Sequence, residues 1–280
     1  MTLYQRIGRR IRQAREALGY SQEELGRLIG CSAAAISYFE AGLRKVKIED
    51  LQKIARALGK PIDFFLQEEA GDEIITILGR AKQELSPKAY RQLEELIHEL
   101  NQENGQGLVQ VDLSGFRPYA AAYRLLESQG VKTPPVPVKE IAREIGIIVL
   151  ERPFEDEVSA VLVRSKRFIV IAVNEAQVHE RKRFSVAHEL GHAVLGHADR
   201  LYVEFVAPEL LPPQTPQRAD DEREANWFAS DLLMPAEWVR VDWKRLKGDL
   251  AKMAKRYEVS EQAMWIRLQH LNLVQPEFLT

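Results

Sequence analysis

His188-Glu189-Leu190-Gly191-His192 is the stretch from which the rest of the chain can be read. On a helix, two histidines four residues apart differ by about 40° of rotation and about 6 Å of rise, so both imidazoles face the same way. One Zn²⁺ at roughly 2.0–2.1 Å from each nitrogen can take both, and the glutamate beside the first histidine can work on a metal-bound water. The pattern is short and recurs by chance, so its flanks carry the weight. Phe184, Val186, Ala187, Leu190, Ala193, Val194 and Leu195 form an apolar helix that would hold the histidines in a core. Further on, Glu222-Arg223-Glu224-Ala225-Asn226-Trp227-Phe228-Ala229 supplies a second helix carrying carboxylates.

A length of 280 residues suggests two domains, each able to build its own core. Hydrophobic residues at 45% and charged residues at 29% place the chain among ordinary globular proteins rather than disordered or fibrous ones. Cys31 is the only cysteine, which excludes an intrachain disulfide framework and a thiolate zinc site and fits a reducing cytoplasm. Met1 to Arg6 lacks the apolar core of a signal peptide, and no apolar run approaches the roughly eighteen residues a membrane span needs, so no membrane partner is expected. Charge is uneven. Residues 1–66 hold 12 Lys and Arg against 7 Asp and Glu, and the remainder is net acidic. A basic front and an acidic back point to nucleic acid at one end only.

In that basic segment Leu3, Ile7, Ile11, Ala14 and Leu18 recur at helical spacing, and Gly19 stops the helix. Ser21-Gln22-Glu23-Glu24 reads as a capping box opening a second helix, Gln22 to Ile29. Gly30-Cys31 make a turn, and Ser32 caps a third helix, Ala33 to Glu40, with Ile36 and Phe39 inward. Ile48, Leu51, Ile54, Ala55 and Leu58 mark a fourth, and Pro61 opens a short fifth ending near Phe65. Two short helices joined by a glycine turn inside a five-helix bundle describe a helix-turn-helix. Ser21-Gln22-Glu23-Glu24-Leu25, Gly30, Ile36-Ser37-Tyr38-Phe39-Glu40, Gly42 and Arg44-Lys45 resemble the Cro-type (XRE) repressor family across this whole domain. The resemblance implies a double-stranded DNA operator as partner, with the helix of residues 33–40 in the major groove. Gln22, Ser32, Ala33, Ala34, Ser37 and Tyr38 then stand at DNA-facing positions, while Arg44, Lys45 and Lys47 meet phosphates. Val46 replaces a proline frequent in that family, and Ala33 and Ala34 offer only methyl groups for base readout.

Residues 67–116 read as a helical connector. Ile74, Ile75, Ile77 and Leu78 mark a short helix, and Ser86-Pro87 is a cap with proline at the first helical position. Tyr90, Leu93, Leu96, Ile97 and Leu100 then make an apolar stripe, open to an intrachain contact or to a homodimer seam. Gly105 to Gly115 reads as flexible linker. Beyond it, helices at 117–129 and 139–145 flank an extended tether, Thr133-Pro134-Pro135-Val136-Pro137. Runs at 147–151, 159–164 and 167–174 form a small sheet ahead of the metal-binding helix. Leu201 to Gln217, with Pro208, Pro212, Pro213 and Pro216, reads as an irregular loop, a candidate lid or substrate-binding edge. Leu250 to Leu271 reads as scaffold, a helical pair without a basic recognition face.

Arg183-Phe184-Ser185-Val186-Ala187-His188-Glu189-Leu190-Gly191-His192, the Glu222 to Ala229 segment and Leu232-Leu233-Met234-Pro235 resemble the ImmA/IrrE family of zinc metallopeptidases over roughly residues 117–275. The expected fold class is α+β: an N-terminal all-α five-helix bundle, a helical connector and, over residues 117–280, a zincin-like domain with a small sheet. Glu222 and Glu224 compete as third ligand. The gluzincin pattern, in which a supporting polar residue follows the ligand by four, selects Glu222 with Asn226 as its hydrogen-bonding support. Glu224 then faces elsewhere on the helix. Ser185 stands where the family often has threonine. The resemblance implies a metal site of His188, His192 and Glu222 with an open fourth position, and Glu189 as the catalytic base. His179, His197 and Tyr202 are open candidates for the oxyanion donor, with His197 five residues past His192 and off the ligand face. The implied function is a DNA-binding regulator that cleaves a repressor or antitoxin in a stress response. The competing expectation is a transcription factor or antitoxin whose metal domain senses a signal or binds a partner and cuts nothing.

Overall fold

The structure is a computed structural model that describes residues 3–66, 70–102, 111–155, 157–207 and 215–275. The chain is α+β and divides into two compact units, Met1–Thr76 and Ile77–Thr280.

The first unit is built from α1 (Leu3–Ala17), α2 (Gln22–Ile29), α3 (Ala33–Glu40), α4 (Ile48–Ala57) and α5 (Ile62–Leu66). Each start has a local cause. The Ser21 hydroxyl accepts the amide of Glu24 and the Glu24 carboxylate accepts that of Ser21, closing the capping box on α2. Ser32 accepts the amide of Ala35 at the head of α3. Between them Gly30 takes φ 76°, the left-handed conformation that costs a side chain about 1–2 kcal/mol, so the chain can turn here in one residue. Ile11, Leu25, Ile36, Ile54 and Phe65 fill the core of the five helices. Arg15 is buried with them, bridging the Glu40 carboxylate at 2.6 Å and the Tyr20 carbonyl at 2.6 Å.

The α6 helix spans Ala70–Glu84, longer than the short helix its apolar residues suggest, and α7 spans Pro87–Gln102. Leu93, Leu96, Ile97 and Leu100 of α7 are buried within the chain. Polar contacts seat this helix against the rest of the second unit, of which it is part: Glu99 with Arg152, Lys88 with Glu155, and Asn101 with Arg167. The apolar stripe is therefore closed by the chain itself, and the expected homodimer loses the surface on which it rested. Most of the expected 105–115 linker lies outside the described residues. Its end is tied down, since Leu113 is buried and donates its amide to the Val194 carbonyl at 2.8 Å.

The second unit continues with α8 (Pro118–Ser128), α9 (Val138–Glu144), β1 (Ile148–Arg152), β2 (Val158–Arg164), β3 (Ile169–Asn174), α10 (His179–Val194), β4 (Leu201–Phe205), α11 (Pro216–Leu233), α12 (Ala236–Arg245), α13 (Leu250–Tyr257) and α14 (Glu261–His270). The sheet order is β1-β3-β2-β4, with β1 and β3 parallel and the other pairs antiparallel. Val158 to Val163 and Val170 to Val173 are buried throughout, as expected of central strands covered on both faces. The Pro-rich tether is not free: Val136 is fully buried and its carbonyl accepts the Arg183 guanidinium at 2.9 Å, which fastens it to α10. Leu201–Phe205, expected to be loop, is the edge strand β4, pairing Tyr202 with Leu162. Pro216 opens α11, where its missing amide costs nothing. Pro208, Pro212 and Pro213 lie outside the described residues. Among the described residues no helix is long and apolar enough to cross a membrane.

Candidate metal centre

Two contacts make the site, α10 against the sheet and α11 against α10. The second is close because of Gly191: a Cβ there would stand 3.2 Å from Ala225 Cα and 3.0 Å from Phe228 Cδ1. A glycine at that spot lets α11 approach until Glu222 reaches the histidines. His188 Nε2 and His192 Nε2 are 3.1 Å apart, and Glu222 Oε2 lies 3.2 Å from the first and 3.6 Å from the second. Four ligands tetrahedrally placed at 2.0–2.1 Å from zinc are separated by about 3.3 Å. The three atoms thus already hold the spacing zinc asks for, and the donor set of two imidazoles and one carboxylate is one zinc accepts.

The electrostatics agree. Glu189 is fully buried and, among the described residues, neither of its oxygens has a hydrogen-bond partner. Burial and the charges of Glu204 and Glu222 push its carboxyl well above the usual carboxylate range. Glu204 is paired with Arg181 at 2.8 Å, so of the three acidic groups Glu189 is the one whose charge a bound dication would offset most. Burial pulls the His192 imidazole down to about 3, so it stays neutral and keeps a lone pair for a metal. Burial is also the largest single pull on His188, but its hydrogen bond to Glu222, the charges of Glu204 and Glu222 and a contact with Asn226 together outweigh it and leave the imidazole above its ordinary value. Glu222 pays for burial yet sits far below the usual range because both histidines face it. Its other oxygen is 3.8 Å from Arg218 Nε.

Around this cluster stand residues that the sequence reading passed over or placed elsewhere. Arg164, at the end of β2, donates to the His192 carbonyl at 2.8 Å and to the His197 carbonyl at 2.7 Å. The Tyr202 ring stacks on His192 with centroids 3.8 Å apart, and its hydroxyl donates to Asp221 at 2.9 Å. That hydroxyl is therefore engaged within the fold rather than free to meet an oxyanion. His179 is exposed at the head of α10 and faces Glu258. His197 is buried, with Nδ1 2.8 Å from His192 Nδ1 and Nε2 3.3 Å from Glu224 Oε2. The expectations that His197 lies off the site and that Glu224 faces elsewhere are both corrected by this contact. Asn226 is exposed and adds the last of the upward pulls on His188.

In the first unit Ala34, Ser37, Tyr38, Arg44, Lys45 and Lys47 are exposed, and Ala33 is half-buried. Ser32 caps α3, and Gln22 donates to Glu40 at 2.9 Å, which ties it to the buried Arg15 pair. Arg44 lies over the Phe39 ring and Lys45 over Tyr4, so both cations have apolar stems seated before any ligand arrives.

Residues 142–269 match the family described as IrrE N-terminal-like domain, a peptidase family, and residues 11–65 match the family described as helix-turn-helix. An uncharacterized HTH-type transcriptional regulator of Sinorhizobium medicae is 39% identical over 66 residues, covering 24% of this chain and 48% of that protein. An uncharacterized transcriptional regulator in the ATPase CF(0) region of Rhodospirillum rubrum is 43% identical over 67 residues, 24% of this chain and 62% of its own length. The chain thus spans only about half to three-fifths of these relatives. The P22 c2 repressor, solved in complex with a synthetic operator, is 33% identical over 22% of this chain and 96% of that one, at a TM-score of 0.22.

Proposed function

For a chain that joins a helix-turn-helix domain to an IrrE-like peptidase domain, we propose a DNA-bound transcriptional regulator whose second domain is a zinc-dependent endopeptidase. Residues 1–66 would bind a double-stranded operator through α3, and residues 117–280 would cut a protein substrate, itself a regulator such as a repressor or antitoxin. The observation that carries the peptidase reading is Glu189. A buried carboxylate with no hydrogen-bond partner among the described residues, beside three converging ligand atoms, is costly to a fold that only needs a structural or sensory metal.

His188 and His192 through Nε2, and Glu222 through Oε2, would hold the ion. Bound zinc supplies Lewis acidity and lowers the pKa of a water to about 7. Glu189 accepts the proton of the attacking water on a carboxylate oxygen and delivers it to the departing amide nitrogen. The apolar side chains of α10 keep bulk water from that carboxylate, and Arg218 Nε stands 3.8 Å from the outer oxygen of Glu222, leaving the inner one as the oxygen that would bind the ion. The stress signal and the cytoplasmic setting belong to the same proposal.

The test uses metal-loaded full-length chain, wild type and Glu189→Gln, incubated with candidate regulators and read by mass spectrometry. Glu189→Gln should keep one zinc per chain and lose about 10²–10⁴-fold in cleavage. Glu222→Ala should lose the metal. Equal cleavage by wild type and Glu189→Gln would remove Glu189 from the reaction, whereas no cleavage by wild type, or equal biological output from the two, would move the assignment to a metal-dependent sensor that cuts nothing.

A further inference from the structure

His192 presents its two ring nitrogens to two different things. Nε2 faces His188 and Glu222, where a metal would sit, and Nδ1 faces His197 Nδ1 at 2.8 Å. A neutral imidazole carries one proton, so each ring can donate from one nitrogen and accept at the other. If the lone pair of His192 Nε2 points at a metal, its proton is on Nδ1 and is donated to His197 Nδ1. The proton of His197 is then on Nε2, which lies 3.3 Å from Glu224 Oε2, a carboxylate oxygen that accepts it. Every atom in this row has a consistent role. The reverse assignment leaves His197 Nε2 without a proton against a carboxylate, and puts a proton on His192 Nε2 where the ligand atoms converge.

The row is built rather than incidental. Gly196, at φ 75°, reverses the chain after α10 and returns His197 against the ring five residues behind it. The Arg164 guanidinium fixes the carbonyls of both residues, and Tyr202 closes the other face of His192 by stacking. His197 is 6% exposed, whereas the Glu224 side chain is about half exposed, so the acceptor end is a surface carboxylate that can be altered without opening the core. His188 has no such arrangement, since its Nδ1 is buried without a hydrogen-bond partner among the described residues. Metal-ligating histidines are commonly oriented by an acceptor on the non-ligating nitrogen, and here the acceptor is a second histidine that is itself oriented.

We propose that His197 and Glu224 are positioning residues that hold His192 as the Nδ1–H tautomer with its Nε2 lone pair ready for zinc before any metal arrives. This rests on the metal site proposed above, and the experiment separates the two. In metal-free full-length chain, long-range ¹H–¹⁵N NMR of the histidine rings reports the tautomer of His192 directly. Wild type should show Nδ1–H, and Glu224→Leu and His197→Phe should show a mixture or the Nε2–H form. Glu224→Gln, which keeps an oxygen to accept from His197, should restore the wild-type spectrum. Competition for Zn²⁺ against a chromophoric chelator should then give a Kd raised about 10–100-fold in His197→Phe, less in Glu224→Leu, and near wild type in Glu224→Gln. A merely structural contact would not move the tautomer in Glu224→Leu, a substitution at a half-exposed position that should leave the fold intact. Nε2–H in wild type, or an unchanged tautomer in both disruptive variants, overturns the proposal. Failure of wild type to bind Zn²⁺ would sink the metal site while the NMR result still decides the row of hydrogen bonds.

Discussion

Tyr202→Phe removes one oxygen and isolates what that hydroxyl does. Tyr202 is 1% exposed, donates to Asp221 Oδ2 at 2.9 Å and accepts the Asp199 amide. Burial and the Asp221 charge push the phenol above its ordinary value, so it remains an O–H donor at any working pH. Without it, Asp221 keeps, among the described residues, the Gln217 amide at 2.9 Å for a carboxylate that is 5% exposed. Leaving a buried acceptor short of its donor costs about 1–3 kcal/mol, and the loss of one hydroxyl opens little cavity to add to it. For a unit of this size each kcal/mol moves Tm by about 2–4 °C, so a fall of roughly 2–12 °C is expected. All four tryptophans, at 227, 238, 243 and 265, lie in the second unit, so indole fluorescence during urea unfolding follows this unit alone. The ring still stacks on His192, and zinc affinity should therefore stay within a few-fold of wild type. A variant of wild-type stability that cleaves about a hundredfold more slowly would refute this reasoning and return Tyr202 to the reacting atoms.

Other consequences are as direct. Gly191→Ala places a methyl 3.2 Å from Ala225 Cα and 3.0 Å from the Phe228 ring. The gain of about 1 kcal/mol in helix propensity should roughly offset the overpacking. Zinc affinity should nonetheless drop as α11 is pushed back, and unchanged affinity in chelator competition would show that the close approach does not set the site. Replacing Arg44, Lys45 and Lys47 by alanine should weaken duplex binding on every sequence and reduce the salt slope by up to about 2.7. An unchanged slope in fluorescence anisotropy would sink the docking proposed for α3. Glu151 accepts Lys139 at 2.5 Å and Lys182 at 2.7 Å, and these pairs draw its carboxyl down to about 2. A depressed carboxyl stabilises the fold above its unfolded value near 4.5 and loses that contribution as pH falls towards 2. Because the group is exposed, Glu151→Gln should cost only about 0.2–1 kcal/mol at pH 7 and nothing near pH 2, read by denaturation at the two pH values.

The parts of this molecule legible in the sequence are those whose cause is local. The capping box at Ser21, the glycine turn at Gly30 and the two-histidine helix each declare themselves within a handful of residues. Leu201–Phe205 did not, because five residues followed by prolines look like loop until β2 is there to pair with them. The α7 stripe showed which face is buried but not against what, since periodicity carries no information about the partner. His197 stood out as a candidate, but its place beside His192 was not legible, for a related reason. Its contact with His192 depends on the reversal at Gly196 and on Arg164, a residue some thirty positions earlier that grips both carbonyls.

Glu224 shows where helical geometry misleads. At about 100° per residue, Glu222 and Glu224 stand nearly opposite one another on α11, which argues that only one of them can address the site. The argument assumes that the partner is another straight helix presenting a narrow stripe. Instead α10 ends, the chain doubles back at Gly196, and β4 follows, so that three successive pieces of chain wrap an arc of α11. Asp221 meets Tyr202 from β4, Glu222 meets His188 and His192 from α10, and Glu224 meets His197 from the return. Three carboxylates within one turn each find a different ring because the partner surface curves around them. An angular rule that excludes a residue from a ligand set therefore says nothing about excluding it from the shell that orients the ligands.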